Sequence, residues 1–138
     1  MKFADATAVQ QIDSHTYSAT FKENWTIGTV PHGGFVTSTF QQVVRRHFDT
    51  TLQKQNQPHT ITLHLDFLRR TQIGPATFVV KDVKLGRQTS VVHVTLFQIG
   101  RKSLGISRTL TSTPKRELLS QLPGRCTLNP YRLILRSC

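Results

Sequence analysis

The chain of 138 residues, 37% of them hydrophobic, is long enough to bury the core of one ordinary domain. No apolar run is long enough to cross a bilayer and no basic-then-apolar leader opens the chain, which predicts an intracellular protein without a membrane span. Lys and Arg number 18 against 7 Asp and Glu, a net charge of +11 that favours anionic partners, yet the bases are scattered and match no nucleic-acid motif. We therefore do not expect nucleic-acid binding. Both cysteines, Cys126 and Cys138, lack metal-ligand spacing and indicate free thiols in a reducing compartment.

The first predicted elements are a strand and the loop that follows it. Residues 1–14 are weakly patterned, which predicts an irregular lead-in. Apolar and aromatic side chains then alternate over residues 15–21, as in a strand with one buried face. The loop 22–29 carries the only tryptophan, Trp25, whose indole is either a core plug beneath the loop or a wall of a substrate channel.

A helix is predicted to begin at the motif Pro31-His32-Gly33-Gly34-Phe35 and to run to about Phe48. Apolar residues recur along it at the spacing of one helical face, at Val36, Phe40, Val43, Val44 and Phe48. Glycines at a helix start leave the first N–H groups free to donate, next to the positive end of the macrodipole. The amides of Gly33 and Gly34 therefore suit a carbonyl oxygen that becomes negative during a reaction, and close packing of the helix against a strand is the alternative use of these glycines.

Four further strands are predicted, at residues 59–69, 76–85, 88–99 and 103–111. The strands are closely spaced and the turns between the last three are short, which is typical of antiparallel hairpins. A strand, a helix and four antiparallel strands make an α+β domain, with a five-stranded sheet wrapped around one central helix. Such a sheet leaves an open edge and an exposed apolar flank, so we expect a homodimer.

Six short motifs follow one another in a fairly specific order: Trp25-Thr26-Ile27-Gly28, Pro31-His32-Gly33-Gly34-Phe35, Leu65-Asp66-Phe67-Leu68, Ile73-Gly74-Pro75, Leu85-Gly86-Arg87-Gln88-Thr89-Ser90 and Leu96-Phe97-Gln98-Ile99-Gly100-Arg101. Through them the chain resembles the hotdog-fold thioesterase-like superfamily. The motifs recur in the same order in the first repeat of acyl-CoA thioesterases built from two fused hotdogs, including fungal thioesterase-like proteins, which this chain resembles. The resemblance covers the chain from about residue 15 to residue 112.

The resemblance implies a hotdog fold, in which a curled antiparallel sheet surrounds one long helix and two hotdogs pair to make each site. It implies an acyl-CoA or other acyl thioester as substrate, hydrolysis by water without a cofactor, and a place in fatty acid or polyketide metabolism in the cytoplasm or peroxisome. In this chain Gly33 and Gly34 would polarise the thioester carbonyl, and Asp66 or a group of a partner chain would act as the base. The alternative for Asp66 is a solvated or salt-bridged surface carboxylate.

Other residues are candidates for binding the substrate, together with Trp25. His32 would hydrogen-bond the substrate or hold the loop, and Arg87 would contact the CoA phosphates or stay a solvated turn residue. Gln98 occupies the strand end at which second repeats carry a catalytic Gln, and in a first repeat it is alternatively a remnant. The histidines on the predicted strands are expected to have hydrogen-bond partners within the sheet. No pair of histidines has the spacing of metal ligands, so no metal site is expected.

The chain also departs from the two-repeat relatives, whose established catalytic Asp, Thr and Gln come from a second repeat that is missing here. Residues 1–112 are the predicted hotdog domain, and residues 113–138 are a divergent basic tail, either a disordered segment or the product of a truncated gene. The alternative function is therefore a non-catalytic acyl-binding or assembly hotdog that lacks the second repeat. A basic nucleic-acid-associated module is a third and weaker hypothesis.

Overall fold

A computed structural model describes residues 1–98 in full and the backbone of residues 101–112. The predicted tail, 113–138, lies outside the described residues. The elements in chain order are α1 (Phe3–Ala6), β1 (Gln10–Gln11), β2 (Thr16–Phe21), β3 (Thr26–Ile27), β4 (Val30–Pro31), α2 (Gly33–Thr50), β5 (His59–Asp66), β6 (Gly74–Lys84), β7 (Thr89–Gln98) and β8 (Arg101–Ser112). Short 3₁₀ turns lie at Glu23–Trp25 and Gln53–Gln55. No helix of the described residues is both long and apolar enough to cross a membrane.

Among the described residues the main sheet has six antiparallel strands in the order β1-β2-β6-β7-β8-β5, and β3 pairs with β4 in a separate two-stranded sheet. The prediction of five strands was wrong because the two residues of β1 pair with β2 at one edge. The lead-in is therefore not wholly irregular, since it also contains α1. At the other edge lies β5, which pairs with β8 rather than with its neighbour along the chain. It ends at Asp66, three residues earlier than predicted.

The core lies between α2 and one face of this sheet, as the apolar patterns predict. Every second residue of β7 is buried, and the same alternation runs along β2 and most of β6. The helix contributes its predicted apolar face. The buried apolar residues are Ala6, Tyr17, Ala19, Phe21, Phe35, Val36, Phe40, Val43, Val44, Phe48, Leu52, Ala76, Phe78, Val80, Val92, Val94 and Leu96. Within this core the rings of Phe40 and Phe78 pack edge to face, with centroids 5.0 Å apart.

Candidate functional site

The start of helix α2 is fixed by His32, which is its N-cap residue. The His32 Nδ1 atom accepts a hydrogen bond from the Gly34 N–H at 3.0 Å, and the His32 carbonyl oxygen accepts from Val36 N–H at 3.1 Å. A side-chain acceptor at the N-cap satisfies one of the helix's otherwise unpaired amides. In the structure the His32 ring caps the helix, and a contact between His32 and the substrate stays a prediction. The structure also leaves Gly33 as the glycine whose amide is not used by this cap.

A groove runs beside this helix start, between α2, the end of β5 and β7. The groove is shallow and open to solvent, and its cavity volume is about 10 Å³. Its lining is mainly apolar, formed by Val36, Phe40, Leu65, Phe67 and Leu96. The three polar residues of the lining are Asp66, Arg69 and Thr71. The ring of Phe67 approaches the helix start closely, because its Cζ would lie 3.9 Å from a Cβ atom placed on Gly33. The groove and the first turn of α2 are thus one continuous region.

Asp66 lies on the wall of this groove at the last position of β5. Its side chain is 50% exposed, and its Oδ1 atom is 3.1 Å from His64 Nε2, which is on the same strand. Both the predicted surface role and the predicted chemical role are compatible with this position, because a solvent-accessible carboxylate beside an apolar groove is still within reach of a bound ligand. The assignment of Asp66 as a base stays a prediction.

Trp25 packs on the apolar side of the helix start. Its ring lies edge to face on Phe3 at 4.8 Å and 6.4 Å from the Phe35 ring, both measured between centroids. The partly buried indole packs against the core, and Phe3 of α1 lies against it; a role of Trp25 in substrate binding stays a prediction. The indole Nε1 atom is buried and has no hydrogen-bond partner among the described residues.

Gln98 and Arg87, the other predicted binding residues, lie at different places. The Gln98 side chain makes two hydrogen bonds to the backbone of Gln72, in the segment after β5. Its Oε1 atom accepts from Gln72 N–H at 2.9 Å, and its Nε2 atom donates to the Gln72 carbonyl oxygen at 2.7 Å. Arg87 lies in the turn between β6 and β7, where its carbonyl oxygen accepts from Gln57 Nε2 at 3.3 Å. Gln57 follows the C-terminal end of α2, so Arg87 and the groove lie at opposite ends of an 18-residue helix, a length of about 27 Å. Within one chain the structure does not bring Arg87 to the groove.

At that far end of the core the structure assembles a polar cluster that the sequence analysis missed. His47 Nε2 is 2.9 Å from Asp82 Oδ1, and His15 Nε2 is 3.1 Å from Asp82 Oδ2. His47 is fully buried, and its Nδ1 atom is 3.0 Å from the Tyr17 hydroxyl oxygen. These three side chains, His15, His47 and Asp82, could hold a metal ion, since their ligand atoms all lie within 4.8 Å of one another.

Burial lowers the pKa of His47 below its usual value, and the hydrogen bond that His47 donates to Asp82 opposes this shift in part. The imidazole is therefore neutral at pH 7, with one ring nitrogen protonated. A signal for the cluster was present in the sequence. Asp82 continues the buried alternation of β6, and His47 lies three residues after Val44 on the inward face of α2. A polar residue among inward-facing positions needs a hydrogen-bond partner, so these two positions indicate a buried polar cluster. The sequence spacing between histidines alone does not indicate it.

Comparison with known proteins agrees with the fold and with the motifs. The family model of the acyl-CoA thioesterase N-terminal domain matches residues 21–113. The thioesterase-like protein TwmA of Talaromyces wortmannii is 42% identical over 98 residues, which make up 71% of this chain and 27% of TwmA. The chain thus spans about a quarter of the length of this curated relative.

Solved structures show the same architecture. A protein provisionally named thioesterase II from Thermobifida fusca superposes with a TM-score of 0.72 at 26% identity, covering 94% of this chain and 44% of that one. The PaaI protein of E. coli, from the phenylacetic acid degradation operon, superposes with a TM-score of 0.68 at 18% identity over 80% of this chain and 83% of its own. A protein from Alicyclobacillus acidocaldarius described as having the hot dog fold gives a TM-score of 0.69 at 16% identity. The family match covers most of the chain and the structures share its sheet and helix, so this protein belongs to the acyl-CoA thioesterase N-terminal domain family and has the hotdog fold.

Proposed function

We propose that this protein hydrolyses acyl-CoA thioesters in the groove beside the start of helix α2. The observation that carries the proposal is the position of Asp66, a carboxylate on the wall of an otherwise mainly apolar groove. Apolar side chains suit the acyl chain, and the few polar groups at the rim suit the thioester and the water that attacks it. Family membership supports the same substrate class.

The reaction uses this chain's residues as follows. Asp66 accepts a proton from a water molecule, whose oxygen attacks the thioester carbonyl carbon. The Gly33 amide, at the positive end of α2, donates to the carbonyl oxygen as negative charge develops on it. The carbon–sulfur bond then breaks, and the proton returns to the departing CoA sulfur, so that the products are a carboxylic acid and a free thiol. Gly34 contributes by lacking a side chain next to the His32 cap.

We further propose that the active form is a homodimer. Within the described sheet, β5 is an edge strand of eight residues whose outer backbone groups pair with no other described strand, so a second chain could add a strand there. Just beyond it, Phe67 and Leu68 are more than half exposed, at 55% and 57%. A second copy would cover both features, and it would also offer its own Arg87 as a candidate contact for the CoA phosphates. Sedimentation equilibrium at micromolar protein should give the dimer mass, and a monomer throughout that range would contradict this arrangement.

The test of the hydrolase proposal is release of free thiol from a panel of short, medium and aromatic acyl-CoAs. Asp66→Asn should abolish turnover while leaving the melting temperature unchanged, because the side chain is half exposed. Asp49→Asn is the matched control, since the Asp49 side chain is 53% exposed and lies at the far end of α2. Turnover that survives Asp66→Asn would remove Asp66 as the base.

A second candidate function, binding of acyl thioesters without hydrolysis, is favoured by one observation. The Oδ1 atom of Asp66 is already paired with His64, so an attacking water would have to compete with this contact for that oxygen atom. Acyl-CoA binding, measured by calorimetry, with no thiol release from the parent protein would establish this alternative. His64→Ala would then leave acyl-CoA affinity unchanged, because the groove itself is intact.

A further inference from the structure

We propose that His15, His47 and Asp82 form a binding site for a divalent transition-metal ion of the zinc class. The site lies at the C-terminal end of helix α2, remote from the groove, and does not depend on the proposed hydrolase function. Its three ligands come from the segment before β2, from α2 and from β6. A bound ion would therefore join three parts of the fold that are distant along the chain.

The donor set is the first argument. Two imidazole nitrogens and a carboxylate are ligands that Zn²⁺ and Co²⁺ accept, and three protein ligands leave a further position for water. Hard cations such as Ca²⁺ and Mg²⁺ prefer sites made of oxygen atoms alone. Both histidines present the same atom, Nε2, to the two oxygens of Asp82, at 2.9 and 3.1 Å. The three side chains thus converge on one small volume.

The second argument is the support behind each histidine. A metal-binding histidine has its other ring nitrogen held by a hydrogen bond, which fixes the ring orientation. The Nδ1 atom of His47 is 3.0 Å from the Tyr17 hydroxyl, and the Nδ1 atom of His15 is 2.9 Å from the Ser14 hydroxyl. When Nδ1–H of His47 donates to Tyr17, the Tyr17 O–H in turn donates to the Ser14 carbonyl oxygen, 3.4 Å away. In that tautomer the Nε2 lone pair of His47 faces the ion, which takes the place of the Nε2 proton that donates to Asp82 when no ion is bound.

The third argument is that the site combines a rigid side with an adaptable one. His47 and Tyr17 are fully buried, so they cannot move away from the ligand position. The His15 side chain is 42% exposed and Asp82 is 21% exposed, which gives an ion a path from solvent. Ligand atoms around a tetrahedral Zn²⁺ with bonds of about 2.0 Å lie about 3.3 Å apart. The Nε2–oxygen distances are already close to this value, and a small rotation of the accessible His15 ring brings the two nitrogens nearer.

The test is metal titration of the full chain, carrying Cys126→Ser and Cys138→Ser so that thiols do not bind the ion. After removal of metal with a chelator, calorimetry with Zn²⁺ should show one saturable site per chain, and Co²⁺ should give ligand-field absorption. His15→Ala and Asp82→Asn should each weaken binding by at least about 10-fold. The melting temperature of the parent, but not of these variants, should rise when Zn²⁺ is added.

His64→Ala is the matched control, because His64 also pairs with an aspartate, Asp66, but this pair belongs to no group of three candidate ligands among the described residues. It should bind Zn²⁺ as the parent does. Absence of binding to the parent overturns the proposal, and so does equal affinity in the parent and His15→Ala. A loss of binding in His64→Ala as large as in His15→Ala would likewise show that the ion binds elsewhere.

Discussion

The two adjacent glycines at the start of α2 are predicted to respond differently to the addition of one methyl group. A Cβ atom on Gly34 would lie 3.1 Å from both Cε1 and Nδ1 of His32, whereas a Cβ on Gly33 would have its nearest neighbour, Phe67 Cζ, at 3.9 Å. The first distance requires the His32 ring to shift, and the same ring atom accepts the Gly34 amide hydrogen. The second distance is ordinary van der Waals contact. Gly34→Ala therefore disturbs the cap, and Gly33→Ala does not.

The size of the difference follows from known helix energetics. Replacing glycine by alanine in a helix contributes up to about 1 kcal/mol of stability at either position, through backbone entropy. Loss of an N-cap hydrogen bond costs about 1 kcal/mol, within a range of roughly 0.5–2. We therefore expect Gly33→Ala to stabilise the protein by about 0.5–1 kcal/mol and Gly34→Ala to leave it near the parent value, a difference of about 1 kcal/mol. The β-branched Gly34→Val should be worse than either.

Urea unfolding followed by Trp25 fluorescence is the assay, because this single tryptophan packs against Phe35, next to the two glycines. A double-mutant cycle isolates the cause. In a His32→Ala background the cap is absent from the start, so the two glycine variants should become equally stable. Equal stability of the two variants in the parent background would refute the reasoning, and so would a difference that persists without His32.

Three further variants test the packing and the turns by chemical unfolding or thermal melting. Phe78→Ala should lower the free energy of unfolding by about 3–5 kcal/mol, because a fully buried ring is lost from the centre of the core, and a cost below about 1 would contradict the described core. Gly86→Ala should lower the free energy of unfolding by about 1–3 kcal/mol, because its Cβ atom would lie only 2.4 Å from the backbone carbonyl oxygen of Thr89, which cannot move aside. An unchanged melting temperature would contradict this close approach in the turn. Gln98→Ala should lower the free energy of unfolding by about 1–2 kcal/mol, because its two hydrogen bonds to Gln72 are lost. Gln98→Glu should have an intermediate stability, because it keeps only the acceptor. Equal melting temperatures of the parent and both variants would exclude a stabilising role for these hydrogen bonds.

Local sequence patterns were sufficient to predict most of the helices and strands and which of their faces are buried. Alternation along β7 identifies its buried residues, and helical spacing identifies the buried face of α2, because both depend only on the geometry of the element itself. The two-residue strand β1 was not predicted because it is too short to show a period. The end of β5 was placed too late because the apolar Phe67 and Leu68 continue the pattern after the strand pairing has stopped.

The groove could be predicted only in part. Asp66 was identified because it lies within a motif, whereas Arg69 and Thr71 line the same groove from a segment without regular structure, where no periodicity indicates the side-chain direction. The occupation of the Gly34 amide by His32 depends on the orientation of one ring, which no sequence pattern specifies. The cluster of His15, His47 and Asp82 depends on how the helix crosses the sheet, since its members are more than 30 residues apart.

The position of β8 between β7 and β5 has a consequence for synthesis on the ribosome. Strand β5 emerges directly after the helix, but its partner is the last described strand, and His59 pairs with Ser112. At roughly 5–20 residues per second, the intervening stretch of about 50 residues takes some seconds to appear, and β5 waits unpaired during that time. Its nascent edge is then open to other chains, and a translation pause before β8 would lengthen the exposure. The yield of native protein should therefore depend more on the translation rate of this last segment than on that of the helix.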